Sequence, residues 1–464
     1  MAVTQDVDLN STPERVRSRS YMLLYSAFLG MCGLYYGLGL GTFNSYAETW
    51  CRKSIKDVTP EQIAEISQKI SLYFFVGCTF AGFSGSWLAG TFGRHRLAWV
   101  NCIFAIVLTL AMLQKTVRGL YLLRFLQGVS AYLWTTISPL FIREILPLSG
   151  MNLARPLFNI SIASGIFVGY IFKLDFFKRN MPLVLLFPLI SEVPKLVLFL
   201  TAFRMESPAW LVSKKGSESE LIENYRHLYN SPQAEEMARE KIRENASGKG
   251  SATASYGDLL TPEYRMQTMI VLILSLLNQL TGMNIITVFS TSILTNSGLV
   301  KETAEFVTTA VGFVGLLATI FLIWAYKGIG MRNLLTWGLL GQAASLSVFL
   351  GGLAFNNTIA ISVGMCAGMF AYNASLGGVL FSYNADLVPA NTLSTFAMIQ
   401  WIVACVMVMY IDRITALLSL EGLFFCAQLS ATLGGLFYVA YGVDTAGMND
   451  PQIKKAFMEK KPFQ

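Results

Sequence analysis

Apolar residues run in long blocks along this 464-residue chain, separated by short polar turns. A helix needs roughly 20 mostly apolar residues to cross a bilayer. Blocks of that length cover 21–46, 68–92, 97–115, 119–142, 152–174 and 181–203. After a polar stretch come 266–295, 303–326, 332–354, 357–385, 391–411 and 420–442. The pattern predicts an all-α integral membrane protein with twelve transmembrane helices, six before and six after a central loop. The expected divisions are an N-terminal tail (1–20), a first bundle (21–204), a loop (205–264), a second bundle (265–442) and a C-terminal tail (443–464). In the loop, Leu221, Tyr225 and Leu228 recur at helical spacing, so Glu218 to Glu244 is expected to form short helices. Ser247 to Ser255, SGKGSATAS, reads as a flexible linker.

Composition supports the same class. The chain is 54% hydrophobic and only 14% charged, against about 25% charged in soluble domains. That excludes a water-soluble globular protein, and the net charge of +7 informs through its distribution rather than as a nucleic-acid signal. Basic residues mark the cytoplasmic side of a membrane protein. Arg15, Arg17, Arg19, Arg94, Arg96, Arg143, Arg155, Lys214, Lys215, Lys327, Arg332 and four tail lysines fall on one side when the N-terminus is inside. Arg52, Lys53, Lys178 and Arg179 run against the bias. Both termini are expected in the cytosol of a plasma-membrane protein. The first 20 residues hold no apolar core ahead of a cleavage site, so no signal peptide is expected. The seven cysteines form no metal or disulfide pattern, and no metal, cofactor, nucleic acid or obligate protein partner is expected.

The two bundles echo each other. FGR at 92–94 matches IGMR at 329–332, REILP at 143–147 matches ADLVP at 385–389, and MESP at 205–208 matches VDTAG at 443–447. All three pairs are offset by about 240 residues, the mark of a duplicated six-helix unit. Two parallel halves imply a substrate site near mid-membrane and transport by rocking one half against the other.

One segment concentrates the candidate chemistry. LLNQLTGMNIITVFS, Leu276 to Ser290, carries Asn278, Gln279 and Asn284 inside an apolar run. Amides are costly to bury without partners, and polar groups in a spanning helix usually face a cavity or a neighbouring helix. An amide both donates and accepts, as a carbohydrate hydroxyl does.

QLTGMN at 279–284, RFLQGV at 124–129, REILP at 143–147 and ESPAWLVSKKG at 206–216 resemble signatures of the sugar porter family of major facilitators. That family includes the facilitative glucose transporters. The resemblance implies a membrane carrier of hexose-like sugars rather than an enzyme, with the bilayer and the sugar as its partners. It implies sugar contacts at Asn278, Gln279 and Asn284, at Asn159, at Asn373 and Phe381, and at Gln400 and Trp401. Several of these depart from the family. Asn278 and Asn159 stand where glutamines are usual, Asn373 replaces an acid, Phe381 replaces a tryptophan, and Gly315 replaces an asparagine. Gln400 and Trp401 match an Asn-Trp pair only after about one helical turn is removed from the preceding loop.

The resemblance also implies a cytoplasmic gate of Arg94 and Arg332 with Glu144, Glu206, Asp386 and Asp444. Part of the family's loop motif is missing, with Gly90, Thr91 and Met151 at usually charged positions. Gly39 occupies the span-one position where proton-coupled members carry Asp, so facilitated uniport is expected. A proton-coupled carrier, a non-sugar carrier and a non-transporting sensor of the same fold are the alternatives. Glu192 and Lys195, three apart in span six, are expected to neutralise each other. Asn356-Asn357-Thr358 is a glycosylation sequon in a very short loop.

Overall fold

The computed structural model describes residues 23–145, 148–172, 177, 179–214, 218–229, 235–236, 238–239, 256–389, 392–445, 448 and 450–459. The expected linker Ser247 to Ser255, the first tail, most of the loop beyond Tyr229, and Lys215, Lys460 and Lys461 lie outside these residues, as do the side chains of Arg143, Met151 and Arg155.

Each apolar block becomes helical. Span one starts at residue 23, turns at 31–32 and continues as Gly33–Ser54. Spans two to five are Pro60–Phe92, Arg94–Ala111, Val117–Ile145 and Leu148–Ile171. Span six is split into Met181–Leu186 and Leu189–Thr201 at Pro188. Span seven is Arg265–Leu280 with Met283–Asn296, and span eight is Lys301–Gly328. Span nine is Met331–Ala354, span ten is Thr358–Asn373 with Leu376–Leu387, and span eleven is Leu393–Met409. Span twelve lies in Ile411–Tyr441. Among the described residues, nine stretches are long and apolar enough by themselves to cross a membrane. Large side chains such as Trp87 (65% exposed) and Trp337 (69%) point outward, as they do where hydrocarbon rather than water surrounds the bundle.

Packing obeys the repeat. In the first half span one packs on five, two on four and three on six; in the second half seven packs on eleven, eight on ten and nine on twelve. The halves meet where span two lies along span eleven and span five along span eight. The seam between spans one and five is closed by Gly37 and Gly41 against Gly165 and Gly169. Small residues let membrane helices approach to backbone contact, and a Cβ at Gly37 would overlap the Ile162 carbonyl.

The repeated turns after spans two and eight share one construction. Gly93 (φ 93°, ψ 159°) and Gly330 (φ 78°, ψ 154°) open spans three and nine in a conformation that essentially only glycine adopts. Glu206 accepts from the amides of Arg94 and His95, at 2.8 and 3.0 Å, and Asp444 accepts from the amide of Met331 at 3.1 Å. A carboxylate is favourable at a helix N-terminus, where unpaired N–H groups concentrate positive charge. Two further short helices, Pro208–Ser213 and Glu218–Tyr229, follow span six, and the second carries Leu221, Tyr225 and Leu228. In the C-terminal tail, Asp450–Glu459 buries Ile453 and Phe457 against the second half.

Candidate functional site

Span seven explains the crowded amides. Its first helix ends at Leu280, Gly282 takes a left-handed conformation (φ 75°, ψ −3°), and a second helix starts at Met283. A break frees backbone carbonyls that a continuous helix would satisfy. Asn284 Nδ2 donates to one of them, the Asn278 carbonyl, at 3.2 Å. It also donates to Asn278 Oδ1 (3.1 Å) and Gln279 Oε1 (3.0 Å). Asn278 Oδ1 further accepts from the Tyr372 hydroxyl at 3.1 Å and from Gln400 Nε2 at 3.3 Å. One side-chain oxygen thus ties spans seven, ten and eleven together.

This cluster forms one wall of a cavity of about 70 Å³ between the halves. Asn159 of span five, Asn373 and Phe381 of span ten, and Trp401 of span eleven also line it. Ile162, Ile166 and Val311 are among its apolar lining residues. Asn159 Nδ2 donates across the halves to the Gly378 carbonyl, and Asn373 Nδ2 donates to Met369 O at 3.0 Å. Trp401 packs on Phe75 (5.5 Å between ring centres), Tyr36 (6.0 Å) and Tyr132 (6.1 Å). Its indole nitrogen is buried without an acceptor among the described residues. No charged side chain is among the residues lining the cavity.

Gln279 differs from its neighbours. It is buried behind the cavity wall, where it accepts from Asn284, and it is not a lining residue. Consecutive helical residues point about 100° apart, and here Asn278 takes the inward position. Tyr36 and Tyr372 line the cavity but were not singled out in the sequence. The available signal was a tyrosine adjacent to Asn373 in an apolar span.

A second space of about 20 Å³ lies toward the Arg94 end, lined by residues including Ser86, Pro139, Asn384, Phe381 and Gln400. Phe381 and Gln400 line both spaces and so stand between them. At that end Arg94 holds Glu144 through two bonds, Nη2–Oε1 at 2.7 Å and Nε–Oε2 at 3.0 Å. Both side chains are only about one-tenth exposed, where a bidentate pair is strongest. The second half departs from this plan. Among the described residues Arg332 meets no carboxylate and donates to the Val439 carbonyl at 2.7 Å. Val439 lies in the last turn of span twelve, whose free carbonyls attract cations. Asp386 accepts from the Thr445 hydroxyl at 3.1 Å.

The whole arrangement can be placed among known proteins. The family model "Sugar (and other) transporter" matches residues 26–457. The chain belongs to this family. It is 25% identical to facilitated glucose transporter protein 1 of Caenorhabditis elegans over 356 residues, covering 72% of this chain and 69% of that protein. It is 25% identical over 468 residues to the probable metabolite transport protein CsbC of Bacillus subtilis, covering 96% and 97%. Among solved structures it matches the proton:xylose symporter XylE bound to 6-bromo-6-deoxy-D-glucose, with a TM-score of 0.78, 17% identity, and coverage of 95% and 100%. It also matches an inward open XylE from E. coli with a TM-score of 0.70 and 15% identity, covering 94% and 99%. The fold is that of the major facilitators, and the chain is a multi-pass membrane transporter.

Among the described residues, three buried charged side chains of the transporter, Arg124, Glu192 and Lys195, lie outside the cavity. Arg124 donates to the carbonyls of Gly39 (3.0 Å) and Ile70 (3.3 Å) and to Gln127 Oε1 (2.7 Å), with its guanidinium 4.5 Å from the Phe74 ring centre. The backbone at Gly39 therefore meets the arginine where proton-coupled relatives are expected to place an acid. Glu192 and Lys195 pair within span six, and the ammonium stands 4.9 Å from the Trp134 ring centre.

Proposed function

We propose that this transporter carries a neutral hexose-like sugar by facilitated diffusion, through alternating access to the central cavity. The observation that carries the proposal is the cavity lining: amides and hydroxyls together with aromatic and apolar side chains, with no charge among them. Such a surface matches a ligand with many hydroxyls and an apolar C–H face. An ionic solute would lack a counter-charge there. The names of the nematode relative above and of a Gallus gallus glucose transporter 26% identical over 349 residues support a sugar as cargo.

Uniport is supported by Gly39. Arg124 meets the Gly39 carbonyl, Gln127 and an aromatic face, and the apolar block of span one (21–46) has no carboxylate to take up a proton, Glu48 lying beyond it in pairs with Arg52 and Lys301. The gate we assign to the Arg94 end is cytoplasmic, with Arg94, Glu144 and Glu206 in the first half and Arg332, Asp386 and Asp444 in the second. Phe381, between the two spaces, closes the path from the cavity to that gate. Both termini then lie in the cytosol, with the plasma membrane as the site of action.

The test is uptake of labelled glucose, xylose, galactose, mannose and fructose into proteoliposomes. We expect saturable uptake of at least one, reduced at least tenfold in Asn284→Ala, since that change leaves several buried acceptors unmatched. Saturable binding without flux would instead identify a sensor.

A further inference from the structure

The orientation of the cavity amides sets which kind of hydrogen bond the ligand makes. A backbone carbonyl can only accept. Asn159 meets the Gly378 carbonyl, Asn373 the Met369 carbonyl and Asn284 the Asn278 carbonyl. In all three the NH2 end must face the protein. The constraint then propagates. Asn284 presents its nitrogen to the Asn278 side chain, so Asn278 must answer with Oδ1. Facing that oxygen, Gln400 must present Nε2 and Tyr372 must donate its proton. The Thr319 hydroxyl returns its proton to the Leu316 carbonyl of its own helix.

The oxygen ends of four of these amides are left over. Asn159 Oδ1, Asn284 Oδ1, Asn373 Oδ1 and Gln400 Oε1 have no partner among the described residues, and none is a closed-off buried atom. All four residues line the cavity. The donors with no engaged hydrogen are Asn278 Nδ2, the Tyr36 hydroxyl and the Trp401 indole N–H, the last closed off by burial, while the anchored NH2 groups of Asn159, Asn373 and Gln400 each keep one further hydrogen. An amide can donate and accept equally, but here the fold has fixed which end is anchored and which end is left unengaged.

We infer that this cavity recognises its ligand chiefly as a hydrogen-bond donor: it selects neutral polyols through hydroxyl protons, and acceptor-only substituents do not replace them. The inference rests on the sugar reading above and deepens it. It follows from the carbonyl partners of Asn159, Asn284 and Asn373. A side chain flipped to offer its NH2 to the ligand would set its own oxygen against a backbone oxygen.

The test compares three substituents at one carbon. Hydroxyl donates and accepts, fluorine accepts weakly and cannot donate, and hydrogen does neither. D-glucose and its deoxy and deoxyfluoro analogues at positions 2, 3, 4 and 6 compete against labelled D-glucose for uptake into proteoliposomes. The expected result is that, at two or more positions, deoxy and deoxyfluoro analogues lose affinity together, by about 3- to 10-fold each. The inference is overturned if the fluoro analogues compete like D-glucose wherever the deoxy analogues fail. It is also overturned if no deoxy analogue loses affinity. Absence of saturable uptake of every monosaccharide in the labelled panel is a different result: it removes the sugar reading, and this inference with it.

Discussion

Asn278 Oδ1 holds three donors from three helices, so its removal should act beyond its own contact. Asn278→Ala leaves Tyr372, Gln400 and Asn284 short of an acceptor in a buried place. Each buried group left unsatisfied costs about 1–3 kcal/mol. The variant is therefore expected to melt at lower temperature as well as to lose transport. Gln279→Ala should raise KM by a smaller factor, because Gln279 reaches the cavity only by orienting Asn284. Measuring uptake and melting temperature for both variants orders the two residues, and equal losses would contradict the placement. The sequence marked these neighbours as a pair because both are amides. It does not record that Asn278 lines the cavity while Gln279 stands behind it. Gly315 shows the reverse case: its loss of a side chain was legible, but not that Asn373 Nδ2 would fill the space, 3.1 Å from where a Cβ would stand.

Elements were legible where their pattern is hydrophobic and long. Twelve runs, their order and the duplication all follow from apolar length and repeated turns, because bilayer thickness fixes the one and gene-scale repetition the other. Breaks inside spans were less visible. Span ten divides at Ala374–Ser375, just ahead of the Gly377-Gly378 pair. Span twelve is preceded by a short helical stretch ending at Ser419 (φ 61°), a serine in a region that favours glycine. Nothing in hydropathy marks such a turn. The tail helix Asp450–Glu459 was missed because a short amphipathic segment is readable only against the surface that buries it. The turns at Gly93 and Gly330 yield a prediction at this scale. Ala at either position meets both a glycine-only conformation and an acid oxygen, and should cost about 1–3 kcal/mol. Gly90→Ala, with open space around the new methyl, should be neutral or stabilising by up to about 1 kcal/mol. Thermal melting of the purified variants distinguishes them.

At the scale of the molecule, the two halves meet along spans two and eleven and along spans five and eight. The end opposite Arg94 carries an ion pair across the halves, Glu48 Oε2 to Lys301 Nζ at 2.7 Å, linking the end of span one to the start of span eight. Both groups are 40–51% exposed, so the pair contributes only about 0.2–1 kcal/mol. Burial works against the Glu48 carboxylate, but Lys301 and Arg52 outweigh it and hold its pKa below the ordinary 4.5. A depressed pKa means the contribution is present above 4.5 and lost as pH falls through the lowered value. Lys301→Ala should therefore favour opening of that end by less than about fivefold near neutral pH, with the difference from wild type fading below pH 4.5. Labelling of a cysteine introduced beside the cavity reports it, and a large or pH-independent effect would show that the pair is more than a surface contact.

The central claim is passive transport of a neutral sugar through the amide-lined cavity. Its most direct test is counterflow in proteoliposomes loaded with unlabelled monosaccharide, with labelled monosaccharide outside and internal pH followed at the same time. The account predicts saturable exchange and net uptake with no imposed proton gradient, no sugar-dependent pH change, and loss of both fluxes in Asn284→Ala. Uptake that requires a proton gradient or moves protons with the sugar would contradict it, as would flux undiminished in that variant.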